Sequence, residues 1–141
     1  MEIVKQNKSI FNYNPKVIAM RLTNASNKSL LEDFKDTFYA IGAYQAKNEL
    51  EETHLLELSK VFIDEFKRRL NRYVGKRNMG AVEELAKITQ EMLRTNTLEV
   101  QEKNEEGYIY MVNNTLRLYA VCVKTLRKMG MGQEHLKKEF L

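Results

Sequence analysis

YIYMVNNTLRLYAVCVKTLRKMGMG, residues 108–132, places apolar side chains on more than one side of a helix. Ile109, Val112, Leu116, Tyr119, Val123 and Leu126 recur at alternating spacings of three and four and form one stripe, while Met111, Leu118 and Cys122 lie on another. A helix that is apolar nearly all round belongs either in the centre of a bundle or in a subunit interface. This segment therefore decides the fold, and Ile109, Val112, Leu116, Tyr119 and Val123 are the candidate interface for a second copy or a partner helix. Lys124, Arg127 and Lys128 sit in its last turns, where cations suit the helix macrodipole, and Gly130 and Gly132 close it near Met129.

Upstream, TNTLEVQEKNEEG (95–107) is polar and acidic and reads as the connecting loop. Before it, Val82, Leu85, Ile88, Thr89 and Met92 mark a helix that starts after Gly80 and ends near Arg94, with Glu83 and Glu84 in its first turn. Leu55, Leu58, Phe62, Phe66, Leu70 and Tyr73 mark another, for which Gly75 offers a left-handed stop. Leu31, Phe34, Phe38 and Ile41 mark a third, starting at Asn27 or Ser29. Residues 45–53 hold no breaker, so one long helix over 29–74 and two separate helices are both open. Asn14-Pro15 is a helix start, with Asn as N-cap and Pro at the first helical position. A short helix through Val17, Ile18, Met20 and Leu22 follows. Residues 1–13 read as an arm or irregular segment, and QEHLKKEFL at the end as one more turn or two.

The expected architecture is all-α: a compact bundle of four to five helices in a single domain over 14–141, with an irregular N-terminal arm. With 141 residues, 43% of them apolar, the chain is long enough to bury a real core. No apolar run approaches the roughly 18 residues of a membrane span, and the N-terminus lacks the apolar block of a signal peptide, which points to the cytoplasm. Cys122 is the only cysteine, so an internal disulfide is impossible, and its apolar neighbours suggest a buried thiol.

Charge is segregated along the chain. Residues 65–78, EFKRRLNRYVGKRN, carry six cations against one acid, whereas 29–64 and 79–107 are net acidic. Asp64 to Arg68 and Glu65 to Arg69 are acid-then-base pairs at spacing four, and a last helical turn favours cations, so much of this run is explained without a ligand. Lys76 and Arg77 continue past Gly75 and are not explained that way. The alternative reading is a phosphate footprint made of Lys67, Arg68, Arg69, Arg72, Lys76 and Arg77, interleaved with Asn71 and Tyr73. No helix-turn-helix, zinc-finger or RNA-recognition signature accompanies it.

Glu51 and His54 have the Glu-x-x-His spacing of di-iron bundles, but the second such motif is missing, since Gly132 stands three residues before His135. No metal or cofactor is expected, and no nucleophile, base and orienting group converge in the sequence. Two readings follow. One is a non-enzymatic binding protein that contacts nucleic-acid phosphates within a larger assembly, such as that of a phage or mobile element. The other is a protein-interaction module that forms a homo-oligomer or grips a partner helix.

Overall fold

The computed structural model describes residues 14–43, 49–99 and 106–141, and within the helices it leaves out the side chains of 38–43, 51, 52, 55, 95–99 and 106–108. These residues form six helices: α1 (Pro15–Thr23), α2 (Asn27–Ala43), α3 (Glu49–Gly75), α4 (Met79–Glu99), α5 (Glu106–Lys128) and α6 (Gln133–Phe140). The described part is all-α, as its periodicity requires. The tail is a sixth helix of eight residues. The expected arm, 1–13, lies outside the described residues.

Two boundaries differ from expectation. α4 runs to Glu99 instead of stopping near Arg94, and α5 already starts at Glu106; the rest of the expected loop, 100–105, lies outside the described residues. TNTLE carries no breaker, and helix propagation adds a hydrogen bond for each residue fixed, so a polar stretch extends a helix that packing has nucleated. The question of one helix or two over 29–74 is answered by Phe34 of α2 meeting Phe62 of α3 edge to face, with ring centroids 5.8 Å apart. In one straight helix, at about 1.5 Å per residue, those rings would be roughly 42 Å apart. α2 and α3 are therefore two separate helices.

The starts of the helices are chemically specified. Asn14 caps α1 by accepting from Lys16 N–H at 2.9 Å, with Pro15 at the first position. Ser26 caps α2 by accepting from Ser29 N–H at 3.1 Å. Asn78 caps α4 by accepting from Ala81 N–H at 3.1 Å.

Contacts along the helices set their directions. Lys60 of α3 lies over the Tyr110 ring of α5, and Lys67 and Asn71 of α3 share a groove with Asn114, Arg117 and Val121 of α5. Positions advance together, so α3 and α5 run parallel. Asn27 of α2 reaches Tyr73 of α3 while Phe34 meets Phe62, so α2 runs antiparallel to α3. Asn27 and Lys35 of α2 meet Glu84 and Glu91 of α4, so those two are parallel. α5 packs against α2, α3, α4 and α6, the central position that its two apolar stripes demand.

The core contains Phe34, Phe62 and Phe66 at 0% exposure, joined by Leu22, Leu30, Val82, Met111 and Leu126. α6 closes the bundle with buried Leu136 and Phe140. The Tyr119 hydroxyl donates to the Phe140 carbonyl, and the two rings meet edge to face at 6.2 Å. Cys122 is buried, and desolvation pushes its thiol up to about 12, so it stays protonated at neutral pH.

Candidate nucleic-acid interface

α3 ends at Gly75, but its left-handed residue comes later than the glycine suggests. Gly75 is still helical, and the positive φ, +53°, falls at Arg77. Arg77 N–H bonds the Val74 carbonyl and Asn78 N–H bonds the Tyr73 carbonyl, the paired bonds of a Schellman motif. α5 ends in the same way at Gly130, φ +103°, with Gly130 N–H on Arg127 and Met131 N–H on Leu126. The left-handed position is thus filled by glycine in one case and by arginine in the other. A side chain there costs about 1–2 kcal/mol. Asn78, next along, is at once the last residue of this motif and the N-cap of α4.

The six cations of 65–78 divide between two roles. Arg69 is buried, 2% exposed, and donates to Glu65, to Asn27 Oδ1 and to the carbonyls of Leu22 and Ala25, the last two at 2.7 Å. Arg68 donates to both Glu65 carboxylate oxygens and to the Thr23 carbonyl. Leu22 and Thr23 are in the last turn of α1, where carbonyls lack intrahelical partners, so α3 supplies two guanidinium caps to another helix. Glu65 pairs with both arginines, at spacings of three and four, and the partner of Arg68 is Glu65 instead of Asp64. Burial pushes the Glu65 carboxyl up, but the hydrogen bonds from Arg68 and Arg69 outweigh it and hold it below its ordinary value. Arg69 is therefore enclosed by protein, and Arg68 is engaged in the same network.

Lys67, Arg72, Lys76 and Arg77 are exposed. Because α3 and α5 are parallel, their last turns lie at the same end of the bundle; Lys124, Arg127 and Lys128 are exposed in the last turns of α5, and the exposed Arg117, mid-helix, shares a groove with Lys67. No acid occurs over 66–82 or 107–133. The two helix C-termini contribute about half a negative charge each, far less than eight cations. Acids also lie near this end: Glu83 pairs with His135 of α6, Glu84 accepts from Asn27, and Glu134 is exposed in the first turn of α6.

Between the two helices lies a groove of about 320 Å³ with Leu70, Leu118 and Val121 on its floor and Lys67, Asn71, Asn114 and Arg117 around it. Asn114, Arg117, Val121, Lys124 and Lys128 follow at spacings of three and four, one stripe of α5. Arg117, Asn114 and the last-turn lysines of α5 do not stand out in the sequence as a site. The available signal is the acid-free run from 107 to 133. A larger depression of about 480 Å³ between α2 and α4 has three glutamates and two lysines on its walls, the wrong balance for phosphate.

The apolar stripe expected to form an interface is split by the fold. Val123 is buried, Val112 packs against the core, and Tyr119 holds α6, while Ile109 and Leu116 are 43% and 55% exposed. Among the described residues no three His, Cys, Asp or Glu side chains cluster as metal ligands, and no helix is long and apolar enough to cross a membrane. The Glu51 side chain of the Glu-x-x-His pair lies outside the described set. No protein-family model matches the chain, and searches of curated proteins and of solved structures return no match, so a functional reading rests on geometry alone.

Proposed function

We propose that this protein is a non-enzymatic, nucleic-acid-binding component of a larger assembly, and that it contacts the phosphate backbone through the common end of α3 and α5. The observation that supports the reading is a set of eight exposed cations, Lys67, Arg72, Lys76 and Arg77 with Arg117, Lys124, Arg127 and Lys128, on two parallel helices whose stretches 66–82 and 107–133 hold no acid. Charge segregated in this way raises the local potential and steers polyanions, with weak sequence preference. Of the footprint expected from the sequence, Arg69 is enclosed by protein and is left out of the proposal, Arg68 is 43% exposed while bonded to Glu65, and the exposed cations of α5 are added. The test is a salt titration of binding to mixed DNA and RNA oligomers. A log-log slope of several units supports the reading, and undetectable binding at about 50 mM salt sinks it.

Exposed Ile109 and Leu116 favour a second reading, capture of a partner helix or a second copy along α5. If light scattering gives a dimer that Leu116→Glu converts to monomer, that reading gains.

A further inference from the structure

We propose that the α3/α5 groove seats the bases of a single-stranded nucleic acid while the cations beside it hold the phosphates. The inference rests on the phosphate-contact reading and deepens it by naming the form of the ligand.

A solvated basic face needs only cations on its surface. Here the cations flank a depression with an apolar floor, and that floor includes Val121, which is 47% exposed. Its volume of about 320 Å³ lies at the low end of the roughly 300–1,000 Å³ of ligand sites. A nucleotide joins the same two chemistries, a flat apolar base with a polar edge and a phosphate with a full charge. The floor of Leu70, Leu118 and Val121 suits the base face. Lys67 on one wall and Arg117 on the other suit the phosphates on either side of it.

Asn71 and Asn114 supply the groups a base edge would meet. Asn114 uses its amide N–H on the Tyr110 carbonyl at 2.8 Å, so its Oδ1 remains as an acceptor, and Asn71 is exposed with both functions of its amide. In a duplex the base faces are stacked inside and could not reach the floor, so only the phosphate term would remain. A splayed strand presents both parts.

The groove also has a direction. Toward the helix starts it meets Lys60 over Tyr110, and Asp64 lies close enough to the Tyr110 hydroxyl to raise it further after desolvation has done so. Toward the helix ends the groove stripe of α5 continues through the exposed Lys124 and Lys128, and no acid occurs over 107–133. A strand would therefore leave along the C-terminal half.

The experiment measures fluorescence anisotropy of the full chain with single-stranded RNA and DNA of about 15 nucleotides, each beside an abasic strand of equal length and charge, and with the matching duplex. The intact strands should bind about fivefold or more tighter than the abasic ones and than the duplex. Val121→Ser and Asn71→Ala, both at exposed positions, should remove that ratio and leave the salt slope unchanged. If abasic and intact strands bind alike, the groove assignment fails while phosphate contact stands. If nothing binds at about 50 mM salt, both readings fall.

Discussion

Arg69 and Glu65, one turn apart on α3, form a buried ion pair at 2.6 Å whose remaining donors hold a different helix. The pair links the α1–α2 connection to α3, and Arg68 adds a second guanidinium to the same carboxylate.

Removing Arg69 should be costly. Arg69→Ala takes the guanidinium donor from the Ala25 carbonyl and Asn27 Oδ1, leaves the Leu22 carbonyl with backbone donors only and Glu65 with Arg68 alone, and breaking a buried pair from one side costs about 3–5 kcal/mol. Urea unfolding should show a loss in that range, with hydrogen exchange accelerating first over 15–26. Arg69→Lys should recover only part of it, because one ammonium cannot reproduce a planar fork aimed at four acceptors.

The same pair predicts an acid limb. The folded Glu65 carboxyl titrates below the ordinary 4.5 of an unfolded one, so its contribution is complete above that value and is lost as pH falls through the lower folded value. Glu65→Gln should therefore be less stable than the parent at pH 7, and the gap should narrow as the pH drops below 4.5. A gap that is constant down to about pH 3 would contradict the assignment.

Arg77→Gly should separate stability from binding. Glycine relieves the left-handed strain at +53° but loosens the unfolded chain, for a net gain of about 0.5–1 kcal/mol. The melting temperature should rise while oligonucleotide affinity falls. Arg77→Ala should lose the same affinity without the gain in stability.

On the basic end, the double variant Lys67→Ala/Arg117→Ala should lower the log-log salt slope by about 1.5, since each phosphate contact contributes about 0.7–0.9. Lys16→Ala, on α1, should leave the slope unchanged.

Along α5 two neighbouring stripe positions should behave differently. Leu116 is 55% exposed, so Leu116→Glu should change monomer stability by less than about 0.5 kcal/mol. Tyr119→Glu removes the donor to Phe140 and the ring contact, and should cost about 2 kcal/mol or more through the loss of α6. Thermal melts of the two variants check both statements.

The helices themselves were legible because burial of one face leaves a period of three and four in the sequence, as in Leu58, Phe62, Phe66 and Leu70 of α3 and in the stripes of α5. Ends were less legible. Gly75 reads as the left-handed stop of α3 because glycine tolerates positive φ, yet Gly75 is the last helical residue and the positive φ falls two residues later. It falls at Arg77, where Asn78 can serve both helices, and no local preference marks an arginine for that conformation.

By itself, the sequence determined the all-α class, the N-cap at Asn14 and the need of α5 for neighbours on two sides, because each depends on side chains close together along the chain. Only the tertiary structure decided what the cations do. Lys67, Arg68 and Arg69 are consecutive, but about 100° separates each from the next around a helix, so one faces the α5 groove, one the end of α1 and one the interior. Charge counted along the chain treats them alike. The packing of α1 and α5 against α3 buries Arg69, holds the half-exposed Arg68 on Glu65 and the Thr23 carbonyl, and sets Lys67 in one groove with Arg117 from a distant helix.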